Sequence, residues 1–209
     1  MKSYGKLTIT LLAGWFLFAL SASAAHLFTN NANRFGFGIA LAALVPLLIF
    51  GVWFAASEQF RRFTLSLDPT SLTLAQSWRI LGFTFVLLEA RGLLPAIFAL
   101  PAGYGDMFIG ATATVVAWKL AHPNHQRSFI FWQVLGISDL VLAVTLGTTA
   151  PLFAPASSME PMTVLPLSLV PTFFVPLLLM FHVISIAQAR SWKEASSSTV
   201  YTYLEHRAS

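Results

Sequence analysis

The sequence predicts an all-α integral membrane protein: a six-transmembrane-helix bundle with both termini cytoplasmic. Three observations carry that prediction. Hydrophobic residues fill 56% of the 209 positions and charged residues only 10%, against a charged share of about 25% in ordinary soluble domains. Mean hydropathy is +0.73. A water-soluble chain this poor in charge lacks the polar groups to cover its surface, whereas a bilayer demands no such cover. The apolar residues also fall in long continuous runs without the alternation of a barrel strand, and a run of about 20 such residues crosses the hydrocarbon core as a helix. Finally, Lys and Arg collect in alternate loops, the pattern that sets orientation in the membrane.

The expected helices span residues 7–28, 35–56, 76–100, 104–121, 129–147 and 164–187, with a polar cytoplasmic tail over 190–209. Lys2 and Lys6 precede the first helix, Arg61 and Arg62 follow the second, and Arg79 opens the third. Lys119 and Arg127 flank the loop between the fourth and fifth, and Arg190, Lys193 and Arg207 follow the sixth. All of these fall on one side if the helices alternate. Arg34 lies in an opposite loop, Arg91 lies within the third helix, and residues 148–163 hold no basic residue. A bacterial-type cytoplasmic membrane suits the small size and minimal loops. The net charge of +4 then reflects topology, and no nucleic-acid partner is expected.

The first helix has a second reading. Lys2 and Lys6, the apolar run from Leu7 and the Ala22-Ser23-Ala24 motif resemble a cleaved signal peptide, which would leave five helices. The apolar run continues to Phe28, long enough to span, and retention is the preferred reading. Between the second and third helices, Asp68-Pro69-Thr70-Ser71 reads as a turn, with Thr70 or Ser71 as the helix cap. A weak repeat links Trp78-Arg79-Ile80-Leu81-Gly82 to Trp132-Gln133-Val134-Leu135-Gly136, and Gly92 with Pro95 and Phe98-Ala99 to Gly147 with Pro151 and Phe153-Ala154. Parallel repeats of this kind occur in transporters.

Charges within a span cost roughly 2.5–3.5 kcal/mol on insertion scales and persist where they are paired or used. The candidate intramembrane polar site is Glu89, Arg91, Asp106, Asp139 and His182. Counting along the helices places Glu89 and Asp139 near the middle, Arg91 and Asp106 in the outer half, and His182 in the cytoplasmic half. That suggests an Arg91–Asp106 pair and a Glu89–Asp139 pair sharing one proton, because adjacent carboxylates do not both ionise readily in low dielectric. Pro101-Ala102-Gly103-Tyr104-Gly105-Asp106 reads as a tight outer loop entering the fourth helix. Gly136, Asp139, Ala143 and Gly147 share a face of the fifth helix, and Pro166, Pro171 and Pro176 interrupt the sixth.

Other chemistries find no support. The absence of cysteine excludes disulfides and thiolate chemistry. His26 and His182 lie at different depths, which suits no bis-histidine haem, and His122 with His125 is too few ligands for a metal site. There is no H-E-x-x-H, G-x-S-x-G or phosphate-binding glycine–lysine loop. No cofactor and no metal are predicted. The pattern suits a small carrier or permease-like protein for a small molecule or ion, with a proton link through Glu89 and Asp139. The alternatives are a membrane-embedded enzyme acting on a lipid-like substrate, which requires Asp106, Asp139 and His182 to converge, and a structural or assembly subunit of a membrane complex or oligomer.

Overall fold

The computed structural model describes residues 2–29, 37–154 and 158–208; Arg34 lies outside the described residues. The fold is all-helical, 86% helix, with no strand among the described residues. Among the described residues, eight α-helices run in order: α1 Lys2–Ala24, α2 Phe37–Ala56, α3 Glu58–Leu65, α4 Pro69–Leu74, α5 Phe83–Ala90, α6 Ala96–Lys119, α7 Gln126–Phe153 and α8 Val175–Ala208. A 3-10 segment, Ala75–Gly82, joins α4 to α5, and a π-helical turn, Val170–Phe174, leads into α8.

Among the described residues, five helices are long and apolar enough to cross a membrane: Tyr4–Ala24, Gly38–Ala56, Pro69–Ala90, Pro123–Phe153 and Val170–Trp192. The expected count was six. The helix that falls short is α6, which has the length, 24 residues, but carries Asp106, Pro101 and Lys119 along with Gly103, Gly105 and Gly110. It packs against the Ala75–Gly82 segment, α5 and α7, so much of its surface faces protein.

The largest correction concerns the third and fourth helices. The turn between them lies at 91–95, not at 101–103, and Pro101 sits inside α6. The cause is a Schellman stop. Leu93 N–H donates to the Leu88 carbonyl and Gly92 N–H to the Glu89 carbonyl, at 2.9 and 2.7 Å. Gly92 takes the left-handed φ of +69° that this motif needs, and Pro95 caps α6 three residues on. The same device ends α1 four residues earlier than expected. Leu27 N–H reaches the Ala22 carbonyl, His26 N–H reaches Ser23, and His26 holds φ +56°.

The third span begins earlier than its apolar run, at Pro69. Asp68 itself is the cap, accepting from the Thr70 and Ser71 amides and the Ser71 hydroxyl, and Pro69 occupies the first helical position. The Ser71 contacts hold the Asp68 carboxyl below its ordinary range, outweighing the opposing effect of burial. A depressed folded-state pKa contributes stability that is present above the ordinary carboxylate range and is lost as pH falls through the lowered value. Asp68→Ala is therefore expected to cost about 0.5–2 kcal/mol at neutral pH. Thermal melts of the two proteins should begin to approach one another below an ordinary Asp pKa of about 3.9 and converge once pH is below the lowered Asp68 value.

The expected sixth helix differs as well. Pro166 precedes it, Pro171 lies in the π turn, and Pro176 falls in the first turn of α8. The prolines thus mark the start of the helix and leave its length unbroken. α8 runs on through the polar tail to Ala208. Contacts collect one end of the bundle: Tyr4 donates to Gln59 at 2.9 Å, Gln126 to the Ala189 carbonyl at 2.7 Å, and Gln188 to the Leu67 carbonyl at 2.6 Å. Lys6, Arg61, Arg62, Lys119, Arg127 and Arg190 all belong to the segments meeting there.

Candidate functional site: a buried arginine between two aspartates

Arg79 is the buried charge at the centre of the bundle, although its sequence position suggested the cytoplasmic entrance of the third helix. With the span starting at Pro69, it lies halfway along, and its side chain is 1% exposed. Its Nε donates to Asp106 Oδ1 of α6 at 2.7 Å, and Nη2 pairs with Asp139 Oδ2 of α7. Its Nη1 faces the Gly136 carbonyl and His182 Nε2, each at 3.3 Å. Both carboxylates are 13% exposed. One guanidinium thereby ties the third span, α6, α7 and α8 together.

Local geometry explains the placement. The Ala75–Gly82 segment has three residues per turn, so residues three apart stand above one another. Thr73, Gln76, Arg79 and Gly82 form one such column, and all four are buried. Beside Arg79, α6 approaches at Gly110, and further along it approaches Gly82 at Gly103. On α7, Gly136 leaves the space that the His182 ring occupies.

The partners dictate proton positions. Arginine only donates, so His182 Nε2 accepts and its proton sits on Nδ1. Nδ1 then donates to Gln133 Oε1 at 2.5 Å, and Gln133 Nε2 donates to Thr73 Oγ1 at 3.2 Å. The Thr73 hydroxyl in turn donates to the Pro69 carbonyl at 2.8 Å. A single directional chain of donors thus runs from the centre of the bundle to the start of α4. Trp132 stands against the His182 ring, at 5.7 Å between centroids, and its Nε1 donates to Thr112 at 2.9 Å.

Of the residues expected at the site, Asp106, Asp139 and His182 converge, all on Arg79. Asp106 is brought to the centre because α6 begins at Ala96, which places it well inside the helix. Glu89 and Arg91 do not join. Glu89 is half-buried near the end of α5, and Arg91 is exposed in the turn that follows. The Glu89–Asp139 and Arg91–Asp106 pairs are replaced by Asp139–Arg79 and Asp106–Arg79. Asp106 and His182 contact Arg79 at different nitrogens and not each other. Arg79, Gln133 and Thr73 were missed, though the period of three from Thr73 through Gln76 and Arg79 to Gly82 is visible in the sequence.

The repeat is matched at its first half only. Arg79 and Gln133 both enter the network, and Gly82 and Gly136 pack on Asp106 and His182. Trp78, however, is exposed and Trp132 buried. Gly92 lies in a turn and Gly147 inside α7.

A cleft of about 30 Å³ lies beside Asp106, lined by Phe85, Phe98, Leu140, Val170 and Pro171 among others. That volume is on the order of one water molecule's share of the liquid. Among the described residues, no three His, Asp or Glu side chains gather where they could hold a metal ion.

These features define the class: an all-helical protein with helices long and apolar enough to cross a membrane, built around a buried Arg–Asp–Asp–His cluster. The chain belongs to the family described as Domain of unknown function (DUF8737), whose profile matches residues 34–190. The matched segment contains every residue of the cluster and leaves α1 outside. No curated protein and no solved structure matches the chain.

Proposed function

We propose that the chain crosses a bacterial-type cytoplasmic membrane six times, with both termini in the cytoplasm, and acts as a small proton-linked carrier. At about 1.5 Å per residue, the 24 residues of α6 are about 36 Å long, enough to cross. The basic residues gathered at one end of the bundle support placing that end in the cytoplasm.

The observation that carries the functional reading is the charge count at Arg79. One cation meets two carboxylates. With one proton bound the cluster is neutral; without it, a net negative charge sits in a nearly dry core. Low dielectric makes that excess costly, so loss of the proton favours entry of another cation or a change of conformation. Four of the five N–H donors of Arg79 already face partners, which leaves little room for an anionic solute. A small cation exchanging with the proton fits better. The π turn carrying Val170 and Pro171 borders the cleft beside Asp106 and is the natural moving part, since π turns recur at functional sites.

One observation favours a second reading. The network is close to saturated and buried, as a subunit that only holds its helices together would have it. Infrared spectroscopy of the purified protein separates the two. One protonated carboxyl band is expected, titrating with pH and absent from both Asp106→Asn and Asp139→Asn. In proteoliposomes enclosing a pH dye, an inward gradient of alkali or alkylammonium ions should raise the internal pH with wild type and not with Asp139→Asn. If no carboxyl band titrates while the protein stays folded, the proton link is wrong and the structural reading stands.

A further inference from the structure

A groove of about 610 Å³ runs between α1 and α2, within the size range of small-molecule sites. The two helices meet near Ala22 and Ile39 and part toward α3. Trp15 and Phe18 form one wall, and Ala42 and Trp53 the other. Phe181 and Thr172 of the α8 region make the floor, and the apolar side of α3 closes the end. The lining is almost wholly hydrocarbon. Water finds no partners in such a space, and leaving it empty forfeits the dispersion contacts of every lining group. Along α2 the lining runs from Gly38 to Trp53, about 22 Å at 1.5 Å per residue. That exceeds the depth of one leaflet, roughly half of a 30 Å core, so an acyl chain can lie along it in full.

The α3 end carries the marks of a headgroup level. Trp53 stacks on Phe60, 4.1 Å between centroids, and the Tyr4 hydroxyl reaches Gln59; Trp and Tyr concentrate where hydrocarbon meets headgroups. Arg62 is engaged by Glu58 at 2.6 Å. Arg61 makes one 3.4 Å contact to the Ala55 carbonyl, and its other donors have no partner among the described residues. It follows Phe60 directly on α3, beside the groove. A free guanidinium edge suits a phosphate oxygen.

We propose that this groove is a binding site for one anionic glycerophospholipid, with an acyl chain between α1 and α2 and the phosphate on Arg61. The inference is independent of the Arg79 cluster. The test is native mass spectrometry of lipid-stripped, full-length protein titrated with phosphatidylglycerol and with phosphatidylcholine of the same chains. One phosphatidylglycerol should be retained, about tenfold tighter than phosphatidylcholine, which corresponds to about 1.4 kcal/mol. Arg61→Gln should abolish that preference while leaving chain binding intact. Ala42→Trp should block retention of either lipid, with Val45→Trp, on the same wall and already exposed, as the second groove-filling variant. Retention by either folded tryptophan variant overturns the site. Equal retention of the two lipids by wild type overturns the anionic headgroup, and no retention at all overturns both.

Discussion

Arg79→Met should destabilise the protein by about 3–5 kcal/mol, the usual result of removing one member of a buried ion pair and leaving its partner uncompensated. Here two carboxylates would be stranded, Asp106 and Asp139, each on a different helix. The His182–Gln133–Thr73 chain would also lose the donor that orders it. Arg79→Lys should recover only part of the loss, because an ammonium presents a single nitrogen where the guanidinium spans carboxylates on both sides. The decisive comparison is the triple variant Arg79→Met, Asp106→Asn, Asp139→Asn. Uncharged replacements of a buried network are often neutral in stability, so the triple variant should melt well above Arg79→Met in the same detergent. If it does, the charges are dispensable for folding once removed together, and their presence needs a functional explanation. If Arg79→Met itself melts like wild type, the cluster does not hold the helices together at all.

That experiment centres on a residue whose role was only half legible. The all-helical class with membrane-length apolar helices was readable because it rests on bulk quantities, apolar run length and charge scarcity, which local irregularity does not disturb. Boundaries were less so. The stop at Gly92 and the start at Asp68-Pro69 are both written in the sequence, yet hydrophobicity runs through the first and begins after the second. Following hydrophobicity placed Arg79 at the entrance of the third helix and Asp106 at the start of the fourth, when both lie well inside their helical segments. The same shift carried Glu89 and Arg91 from the expected middle of a helix to the end of α5 and the turn that follows it. Asp139 and His182 were placed more securely, because their helices are long and lack internal stops.

The column Thr73, Gln76, Arg79, Gly82 was hidden for a different reason. Its period is three, and a search for the 3.6-residue α-helical period reads it as polar residues scattered around a helix. A 3-10 run of eight residues is uncommon, since such runs rarely exceed three or four. The tertiary contacts supply what the local geometry lacks. Gln76 donates to the Leu178 carbonyl at 3.1 Å, Arg79 engages three helices, and Gly82 lets α6 come close. The segment and its partners are thus mutually dependent, which no reading of the segment alone reveals.

That dependence makes the glycines at the crossing the most sensitive small residues in the chain. A methyl group at Gly110 would overlap the Ile80 amide nitrogen and lie 2.8 Å from the Arg79 carbonyl carbon. Both are backbone atoms, with no rotamer to relieve them. At Gly105 it would overlap the Asp139 carboxylate, and at Gly136 the His182 ring. Overpacking ordinarily costs about 1–3 kcal/mol, and Gly110→Ala should reach or exceed the top of that range because the whole Arg79 segment must move. Gly105→Ala meets a side chain instead, so part of its strain should be relieved by pushing Asp139 off Arg79. It should therefore fold better than Gly110→Ala and shift the titrating carboxyl signal, which Asp139→Asn instead removes, because the displaced Asp139 carboxyl is still present. Gly14→Ala in α1 and Gly51→Ala in α2 provide the contrast, with nothing within 4 Å of the added carbon. Alanine's helix propensity should leave both unchanged or more stable by up to about 1 kcal/mol. Thermal melts of the five proteins in one detergent measure the order directly. A Gly110→Ala protein as stable as Gly14→Ala would mean that α6 and the Arg79 segment are not in contact, and that Arg79 does not sit between Asp106 and Asp139.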